Sequence, residues 1–534
     1  MNSVPKTLLN DVAALQENNL QLQQLIAEKD QRLARQEKLL EQQRAQIADL
    51  FEQFRLNRHR QFGPSSEQGS GQVGLFNEAE QLAAEEAMVL AQSAAAATDT
   101  RKPVGRGKRQ PLPPHLPRID VVHELPEHAR QCACGCQLSV IGEEISEQLD
   151  IIPAKIQVIR NIRKKYVCTH CETAPVTAAL PPQPLPKSNA SPGLLAFIAT
   201  AKFADGMPLY RQETLLERAG FKVTRQTQAR WMIQSAQWLQ AVHNLLRDEM
   251  LNGPLIHCDE TTTQVLKEPD KPPTSQSRMW VTVGGTLGKN VVLFNYHASR
   301  SSAVPLTLLA GYRGYLMTDG YAGYNALAAH EGIEHLSCWQ HVRHYFKEAQ
   351  NAQPKTKGPT TVGKADVALN FIGKLYGIET RIRDASIDTR YQVRQQDSVV
   401  VLQQIRAWLD KTLAGVVPSG KLGVALQYLH KYWPKLIRYT ENGELPMDNN
   451  RAENAIRPFV VGRKAWLFSD TPAGADASAM IYSLIETAKA NALEPYAYLR
   501  YLFRYLPAAT SVDDVEKLLP WNIDRAALIS ELVA

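Results

Sequence analysis

The first sixty residues repeat hydrophobic positions with a period of seven. One seam of this repeat holds Val12, Asn19, Ile26, Leu33, Leu40, Ile47 and Phe54. A second seam holds Leu8, Leu15, Leu22 and Leu50, and it is interrupted by Lys29, Gln36 and Gln43. The strict heptad predicts a coiled coil over residues 1–62, and therefore a homo-oligomer. One amphipathic helix lying on its own domain is the alternative.

Turn-forming residues at 63–66 end the heptad and begin a linker that runs to residue 120. The second half of this linker is a basic arm, which contains no acid between Arg101 and Ile119. Arg106, Lys108 and Arg109 can follow a phosphate backbone or enter a minor groove. A solvated linker without DNA contact is the alternative.

The cysteines are clustered, because five of the seven lie between residues 132 and 171. Cys168 and Cys171 have the spacing of a zinc knuckle, and the first cluster supplies three candidates for the other two positions of a tetrahedral site. We expect a zinc-binding module over residues 121–180 with Cys132, Cys134, Cys168 and Cys171 as ligands, and Cys136 can replace either of the first two. Clustering favours metal over disulfides in a reducing compartment. Unpaired thiols are the alternative.

A helical pattern follows the proline-rich stretch after residue 180. Residues 188–250 predict an apolar helix, a turn at Gly220 and a polar, basic helix, which is typical of a helix-turn-helix domain. Arg225, Gln228 and Arg230 on the last helix are candidate DNA contacts. Two packed helices with a glycine turn also occur in ordinary helical domains, so the pattern alone leaves both interpretations open.

Short apolar runs then predict a mixed α/β domain over residues 251–470. The expected strands are Leu255–Leu266, Met279–Gly284, Val291–Tyr296, Gly314–Met317 and Glu334–Cys338. Helices near residues 302–310 and 321–330 separate the later strands, as in a mixed sheet. Residues 370–439 read as helices, so we expect a helical insertion at 351–446. Residues 471–534 are expected to form C-terminal helices that support the helix containing Glu453.

Three acidic residues stand in unusual settings within this domain. Asp259 lies in the middle of the first expected strand, and Asp319 lies at the end of the fourth. Glu453 lies in a predicted helix that Pro458 ends near Arg457. A buried carboxylate is costly unless its charge is compensated, and a divalent cation is the simplest compensation. The three acids are therefore candidates for a two-metal phosphoryl-transfer site. An ordinary surface pair between Glu453 and Arg457 is the alternative.

The motifs HCDETTT, TDGYAGY, CWQHVRHYF and NNRAENAIRPFVVGRKAWLF occur in this order along the chain. In these motifs, and over nearly its whole length, the chain resembles the insertion-sequence sixty-six (IS-sixty-six) family of bacterial DDE transposases. The resemblance implies an RNase H-like catalytic domain in which Asp259, Asp319 and Glu453 are the catalytic, metal-binding triad for magnesium (or manganese). The chain departs from the family at Cys132-x-Cys134, where C-x-x-C-G is frequent, so the zinc ligand set stays ambiguous.

The resemblance also implies a reaction and its partners. The enzyme would bind the terminal inverted repeats of an insertion sequence, cleave at the element ends and transfer the 3′-hydroxyl ends to target DNA. Two small accessory proteins of the same element are usual in this family. A zinc-containing DNA-binding regulator, a nuclease without strand transfer and an assembly factor are the alternatives.

Basic residues within the motifs are candidates for contacts with DNA phosphates. They are His341, Arg343, Arg457, Arg463 and Lys464. A structural role is an equal alternative for His341. The net charge of +6 favours a polyanionic partner only weakly, because 54 acidic residues offset 60 basic ones. No membrane-spanning run or secretory signal is visible, so we expect a cytoplasmic, nucleoid-associated protein with no membrane partner.

Overall fold

The computed structural model describes residues 179–328, 332–353 and 363–533, together with 156–166, 176–177 and the helical residues Lys29, Gln31 and Gln36. The rest of the predicted coiled coil and the basic arm with Arg106, Lys108 and Arg109 lie outside the described residues. So do the cysteines between residues 132 and 171. A two-residue antiparallel ladder pairs Lys165–Tyr166 with Val176–Thr177. This ladder joins the segments that precede and follow Cys168 and Cys171 in the sequence.

Within residues 179–328, three helices precede the sheet. They are α1 (Pro192–Phe203), α2 (Leu209–Arg218) and α3 (Arg225–Leu251). The Ser191 hydroxyl caps α1 by accepting from the backbone N–H of Leu194 at 3.2 Å. Gly220 adopts a positive φ of 86° in the turn after α2, where the left-handed conformation favours glycine. Thr224 caps α3 in the same way as Ser191 caps α1, so a polar residue marks the start of each of these two helices.

Five strands form one mixed sheet. They are β1 (Leu255–Gln264), β2 (Gln276–Gly284), β3 (Val291–His297), β4 (Gly314–Thr318) and β5 (Ile333–Ser337). Their order across the sheet is β3-β2-β1-β4-β5. The β1–β2 and β2–β3 ladders are antiparallel, whereas β4 runs parallel to both β1 and β5. The five strands expected from the apolar runs are present, and their ends differ from the expected ones by at most three residues.

Short helices connect the parallel strands. The helix α4 (Ala303–Leu308) precedes β4, and a 3₁₀ turn at Ala322–Tyr324 leads into α5 (Asn325–Ala328) before β5. Both lie where the sequence predicted helices. After β5 the chain enters α6 (Trp339–Ala352) and then four further helices, which are α7 (Lys364–Arg381), α8 (Ile387–Val393), α9 (Val399–Leu413) and α10 (Lys421–Leu436).

The helix that contains Glu453 is longer than predicted. This helix, α11, spans Asn450–Trp466 and continues through Pro458, so the prediction that Pro458 ends it was wrong. A proline inside a helix removes one hydrogen bond and costs about 3 kcal/mol. Burial of Ile456 and Phe459 against the sheet favours continuation. Glu453 consequently lies in the first turn of the helix and not at its middle.

The C-terminal helices are α12 (Pro472–Ala490), α13 (Pro495–Tyr505), α14 (Val512–Glu516) and α15 (Arg525–Val533). The hydroxyls of Ser483 and Thr487, one turn apart on α12, accept from the backbone N–H groups of Phe294 and Val292 at 2.7 and 3.0 Å. They also donate to the carbonyls of the same two residues. The outer edge of β3 is thereby satisfied by side chains, and α12 covers an edge that would otherwise be open for strand pairing.

Among the described residues, two hydrophobic cores pack against the sheet. The first joins α1, α3 and α11–α13 to the sheet, with Phe294 and Tyr482 among its buried aromatics. The second joins the ends of β4 and β5 to α6, α7, α9 and α10 around Trp339. The Trp339 indole N–H donates to the Leu436 carbonyl at 2.8 Å. Within the described part of the chain, no helix is long and apolar enough to cross a lipid bilayer.

Candidate active site

Two aspartates lie at neighbouring parallel strands, Asp259 within β1 and Asp319 directly after the end of β4. The β1–β4 ladder pairs His257 with Met317, and the β4–β5 ladder pairs Met317 with Leu336. Asp259, Asp319 and Cys338 lie two residues after His257, Met317 and Leu336, respectively. Because residues two apart on a strand share a face, these residues form one row across strands that are about 5 Å apart.

The turn after β4 holds the backbone around Asp319. One Asp319 carboxylate oxygen accepts from the backbone N–H of Tyr321 at 3.0 Å. The Gly320 carbonyl accepts from the Tyr432 hydroxyl at 2.5 Å. A Cβ at Gly320 would come within 2.5 Å of the Tyr428 ring, so no larger residue fits there without displacement. The turn is therefore fixed both by its own hydrogen bonds and by α10.

Asn449 joins the start of α11 to the sheet. Its side-chain amide donates to the Cys258 carbonyl at 3.0 Å, and its side-chain oxygen lies 3.0 Å from Nδ1 of His257. Its backbone N–H lies 3.1 Å from Sγ of Cys338. Asn449 is completely buried. Its side chain does not cap its own helix, and instead fixes the first turn of α11 beside Asp259.

The hydrogen bonds of Asn449 also define the protonation state of His257. Since the amide nitrogen of Asn449 donates to a carbonyl, its oxygen must be the acceptor, and His257 therefore carries a proton on Nδ1. Burial, followed by the positive charge of Arg451, lowers the pKa of His257 to about 3. His257 is therefore a neutral donor near pH 7.

Glu453 lies one turn beyond Asn449 and is only 4 % exposed. Its Oε1 lies 3.8 Å from Sγ of Cys338 and 3.9 Å from Nδ1 of His341. His341 lies in the first turn of α6 and is also buried. The ends of β5, α6 and α11 thus converge on this carboxylate.

The acidic groups influence one another electrostatically. Removal from water, and then the charges of Glu260, Asp319 and Glu453, raise the pKa of Asp259 well above its ordinary value, while His341 acts in the opposite direction. Carboxylate oxygens are the ligands that magnesium and manganese prefer. A divalent cation would relieve the repulsion that raises this pKa, so the residues present fit such an ion.

Glu260 is a further buried acid, which the sequence analysis did not single out. Because it alternates with Asp259 along β1, it points to the opposite face of the sheet. One Glu260 oxygen accepts from Nε of Arg300 at 2.7 Å, and the other accepts from the Tyr324 hydroxyl at 2.6 Å. The Arg300 guanidinium lies 3.8 Å from the centre of the Tyr321 ring. Burial of an acid within a strand was the available signal, since it requires such partners.

Asn449 and Cys338 were also missed. Both lay inside motifs that the sequence analysis quoted, but their contacts join segments more than one hundred residues apart. No local pattern encodes such contacts.

The predicted DNA contacts on α3 divide into exposed and buried residues. Arg225 and Arg230 are exposed. Gln228 is completely buried, and its side-chain amide donates to the Val223 carbonyl at 3.0 Å. The structure therefore gives Gln228 a role in holding the turn before α3 and leaves it no accessible surface for DNA.

The basic candidates of the later motifs are similarly divided. Arg343 and Lys464 are exposed, and Arg457 is partly buried. Arg463 donates to the backbone carbonyl of Thr262 and to its hydroxyl, the latter at 2.9 Å. This contact joins the last turn of α11 to β1, so Arg463 has a structural partner.

Family models match most of the chain. The model described as "Transposase IS66 family" matches residues 187–477, and the "IS66 C-terminal element" matches 483–521. The "zinc-finger binding domain of transposase IS66" matches residues 129–172, a range that includes all five clustered cysteines. The N-terminal match, over residues 49–121, is to "Transposase C of IS166 homeodomain".

Several proteins of Sinorhizobium fredii are similar to the chain. The uncharacterized protein y4jD is 32 % identical over 424 residues, which cover 77 % of this chain and 81 % of the relative. The uncharacterized protein y4qI is 30 % identical over 440 residues, 79 % of each chain. The uncharacterized protein y4hP is 31 % identical over 471 residues, covering 85 % of this chain and 84 % of the relative.

Proposed function

Because the chain belongs to the IS66 transposase family, we propose that it is a metal-dependent DDE transposase that binds the terminal inverted repeats of an insertion sequence. It would cleave at the element ends and transfer the 3′-hydroxyl ends to target DNA. The observation that carries this proposal is the placement of Asp259 within β1 and of Asp319 directly after the adjacent parallel strand β4, with Glu453 close enough to raise the pKa of Asp259.

The catalytic domain is proposed to be RNase H-like. The β3-β2-β1-β4-β5 order, with an antiparallel meander followed by two parallel strands, supports this assignment. The positions of Asp259 on the central strand β1 and of Asp319 directly after the adjacent strand β4 also support it. Helical residues inserted between β5 and α11 account for the distance in sequence between Asp319 and Glu453.

Asp259, Asp319 and Glu453 are proposed to hold magnesium (or manganese). When bound, two such ions supply the electrostatic stabilisation of the attacking and leaving oxygens of a phosphoryl transfer. The chain's own residues supply the geometry. Strand β1 and the turn after β4 fix two carboxylates, and Asn449 fixes the helix that brings the third.

The family match over residues 129–172 supports zinc as a second cofactor. We propose Cys132, Cys134, Cys168 and Cys171 as its ligands, with Cys136 as the replacement for one of the first two. The ladder between Lys165–Tyr166 and Val176–Thr177 supports a hairpin around the second pair. A zinc ion would add stability to so small a module.

The partners proposed are terminal-repeat DNA, target DNA and further copies of this chain, joined through the coiled coil. Two small accessory proteins of the same element belong to the same proposal, as does a cytoplasmic, nucleoid-associated location. For DNA contact we retain Arg225, Arg230, Arg343, Arg457 and Lys464, together with the basic arm. Gln228 is withdrawn as a direct contact because it is buried. Arg463 and His341 are retained only as residues that position β1 and Glu453.

The test is a strand-transfer assay with the full-length protein, magnesium and duplexes that carry the element's own ends. Asp259→Ala, Asp319→Ala and Glu453→Ala should each abolish cleavage and joining while affinity for the ends stays nearly unchanged. Glu444→Ala is the matched control, because Glu444 is an exposed acid shortly before α11. Retained strand transfer by Glu453→Ala would refute the triad. Cleavage without joining by the unaltered protein would instead favour the nuclease alternative.

A further inference from the structure

Cys338, His341 and Glu453 form a cluster of mixed chemistry. Their ligand atoms all lie within 4.8 Å of one another, and all three side chains are buried. One carboxylate oxygen of Glu453 is common to both short contacts, at 3.8 Å from the thiol sulfur and 3.9 Å from the imidazole nitrogen. A set containing sulfur, nitrogen and oxygen differs from the all-carboxylate triad.

The spacing of this cluster is close to that of a tetrahedral metal site. With Zn–S near 2.3 Å and Zn–N and Zn–O near 2.0 Å, neighbouring ligand atoms in a tetrahedron are about 3.3–3.5 Å apart. The contacts of 3.8 and 3.9 Å exceed these values by only about half an ångström. The third pair, Cys338 and His341, lies within 4.8 Å, so closing the site requires the three ligand atoms to move closer together.

The fold holds all three ligands in place before any ion binds. Cys338 follows β5 directly and receives the backbone N–H of Asn449, His341 lies in the first turn of α6, and Glu453 lies in the first turn of α11. The backbone N–H of Trp339 donates to the Met447 carbonyl at 3.0 Å, which joins the segments that begin α6 and α11. Ligand positions fixed by backbone contacts lower the entropic cost of binding.

From this arrangement we propose that Cys338, His341 and Glu453 form a site for a borderline divalent cation of the zinc type. Magnesium prefers oxygen ligands, whereas thiolate and imidazole favour zinc and cobalt. Three protein ligands leave a fourth position for water or for the carboxylate of Asp259. Binding forms the metal–sulfur bond as the thiol proton of Cys338 leaves to solvent.

The proposed site shares Glu453 with the triad, but its occupancy does not depend on transposition. An ion bound by the Cys338 sulfur and the His341 nitrogen would hold the Glu453 carboxylate beside Cys338. Zinc should therefore oppose magnesium-dependent chemistry. This effect follows from competition for one carboxylate, and it should weaken when the thiol is removed.

The experiment is a cobalt titration of the full-length protein after chelation and reduction, followed by the thiolate-to-cobalt absorption band. Cysteines in the zinc-finger region contribute equally to every variant, so the comparison is between Cys338→Ser and Cys258→Ser. Both substitutions replace a buried free cysteine in the same domain. We expect Cys338→Ser to bind one equivalent less than the unaltered protein, and Cys258→Ser to match it.

A second variant covers the case in which Cys338→Ser does not fold. His341→Gln keeps the thiol and should lose the same equivalent, or bind it at least tenfold more weakly. Equal cobalt stoichiometry and affinity in folded Cys338→Ser or His341→Gln and in Cys258→Ser would overturn the proposal, and would leave the thiol as a hydrogen-bond donor to Glu453. DNA cleavage is measured separately, so loss of the metal site and failure of the transposase assignment give different results.

Discussion

Replacement of Asn449 by alanine tests whether this residue assembles the site. The substitution removes the partners of the His257 Nδ1–H group and of the Cys258 carbonyl, both on fully buried residues. Each buried polar group left without a partner costs about 1–3 kcal/mol, so the expected loss is about 2–6 kcal/mol of unfolding free energy. That is a large part of the 5–15 kcal/mol that is typical of a domain.

Urea denaturation followed by tryptophan fluorescence measures this loss, because Trp280 and Trp339 are buried in the two cores. With a slope of about 2 kcal/mol per molar urea, the midpoint of the catalytic domain should fall by roughly 1–3 M. The matched control is Asn450→Ala, which makes the same change at the next position, where the side chain is exposed. Its effect on stability should stay within about 0.5 kcal/mol.

The same variant should lose magnesium-dependent cleavage beyond the fraction that is unfolded. Without Asn449, the first turn of α11 is no longer attached to β1 beside Asp259, so Glu453 loses its defined position. A midpoint for Asn449→Ala within the range of Asn450→Ala, with normal cleavage, would refute this account.

Four other predictions follow from charge, burial and association. Glu260→Ala should lower the unfolding free energy by a few kcal/mol, because it removes the partner of a buried tyrosine and an arginine, whereas Glu444→Ala should have little effect; equal urea midpoints would contradict this. Burial and Lys435 lower the pKa of His335 to about 3, so the unfolded state binds its proton first and stability should rise with pH between about 3 and 6.5; His335→Gln should reduce that rise in pH-dependent melting curves and leave the part that His257 contributes. Removal of residues 1–62 should lower the mass measured by light scattering, and an unchanged mass would mean that the heptad stripe is intramolecular. Cys168→Ser should release zinc from the finger region, and full zinc content by metal analysis would argue against this ligand.

The strands could be predicted from the sequence because each is a short apolar run bounded by turn residues. The positions of Asp259 and Asp319 on them followed from the same pattern. The end of α11 could not be predicted in this way. The rule that proline ends a helix is local, whereas the burial of Ile456 and Phe459 that opposes it depends on the assembled sheet.

Polar side chains were harder to interpret than apolar ones. Gln228 occurs on a polar, basic helix, and its type gave no indication that it faces the turn before α3. Asn449 could equally have been a helix cap, and only the proximity of β1 decides that it is not. The function of such residues depends on contacts with distant segments, which hydrophobic periodicity does not report.

The hydrogen bond from Trp339 to the Met447 carbonyl has a consequence for how the surroundings of Glu453 are assembled. It joins the two ends of a segment of roughly 110 residues, and closing so long a loop from an unfolded chain costs about 4 kcal/mol in entropy. Folding of the intervening helices around their own core offsets this cost, because it brings the two ends together. A deletion of the inserted helices would remove the core that holds Trp339 and Met447 together, so we expect it to leave Glu453 without its defined position beside the sheet.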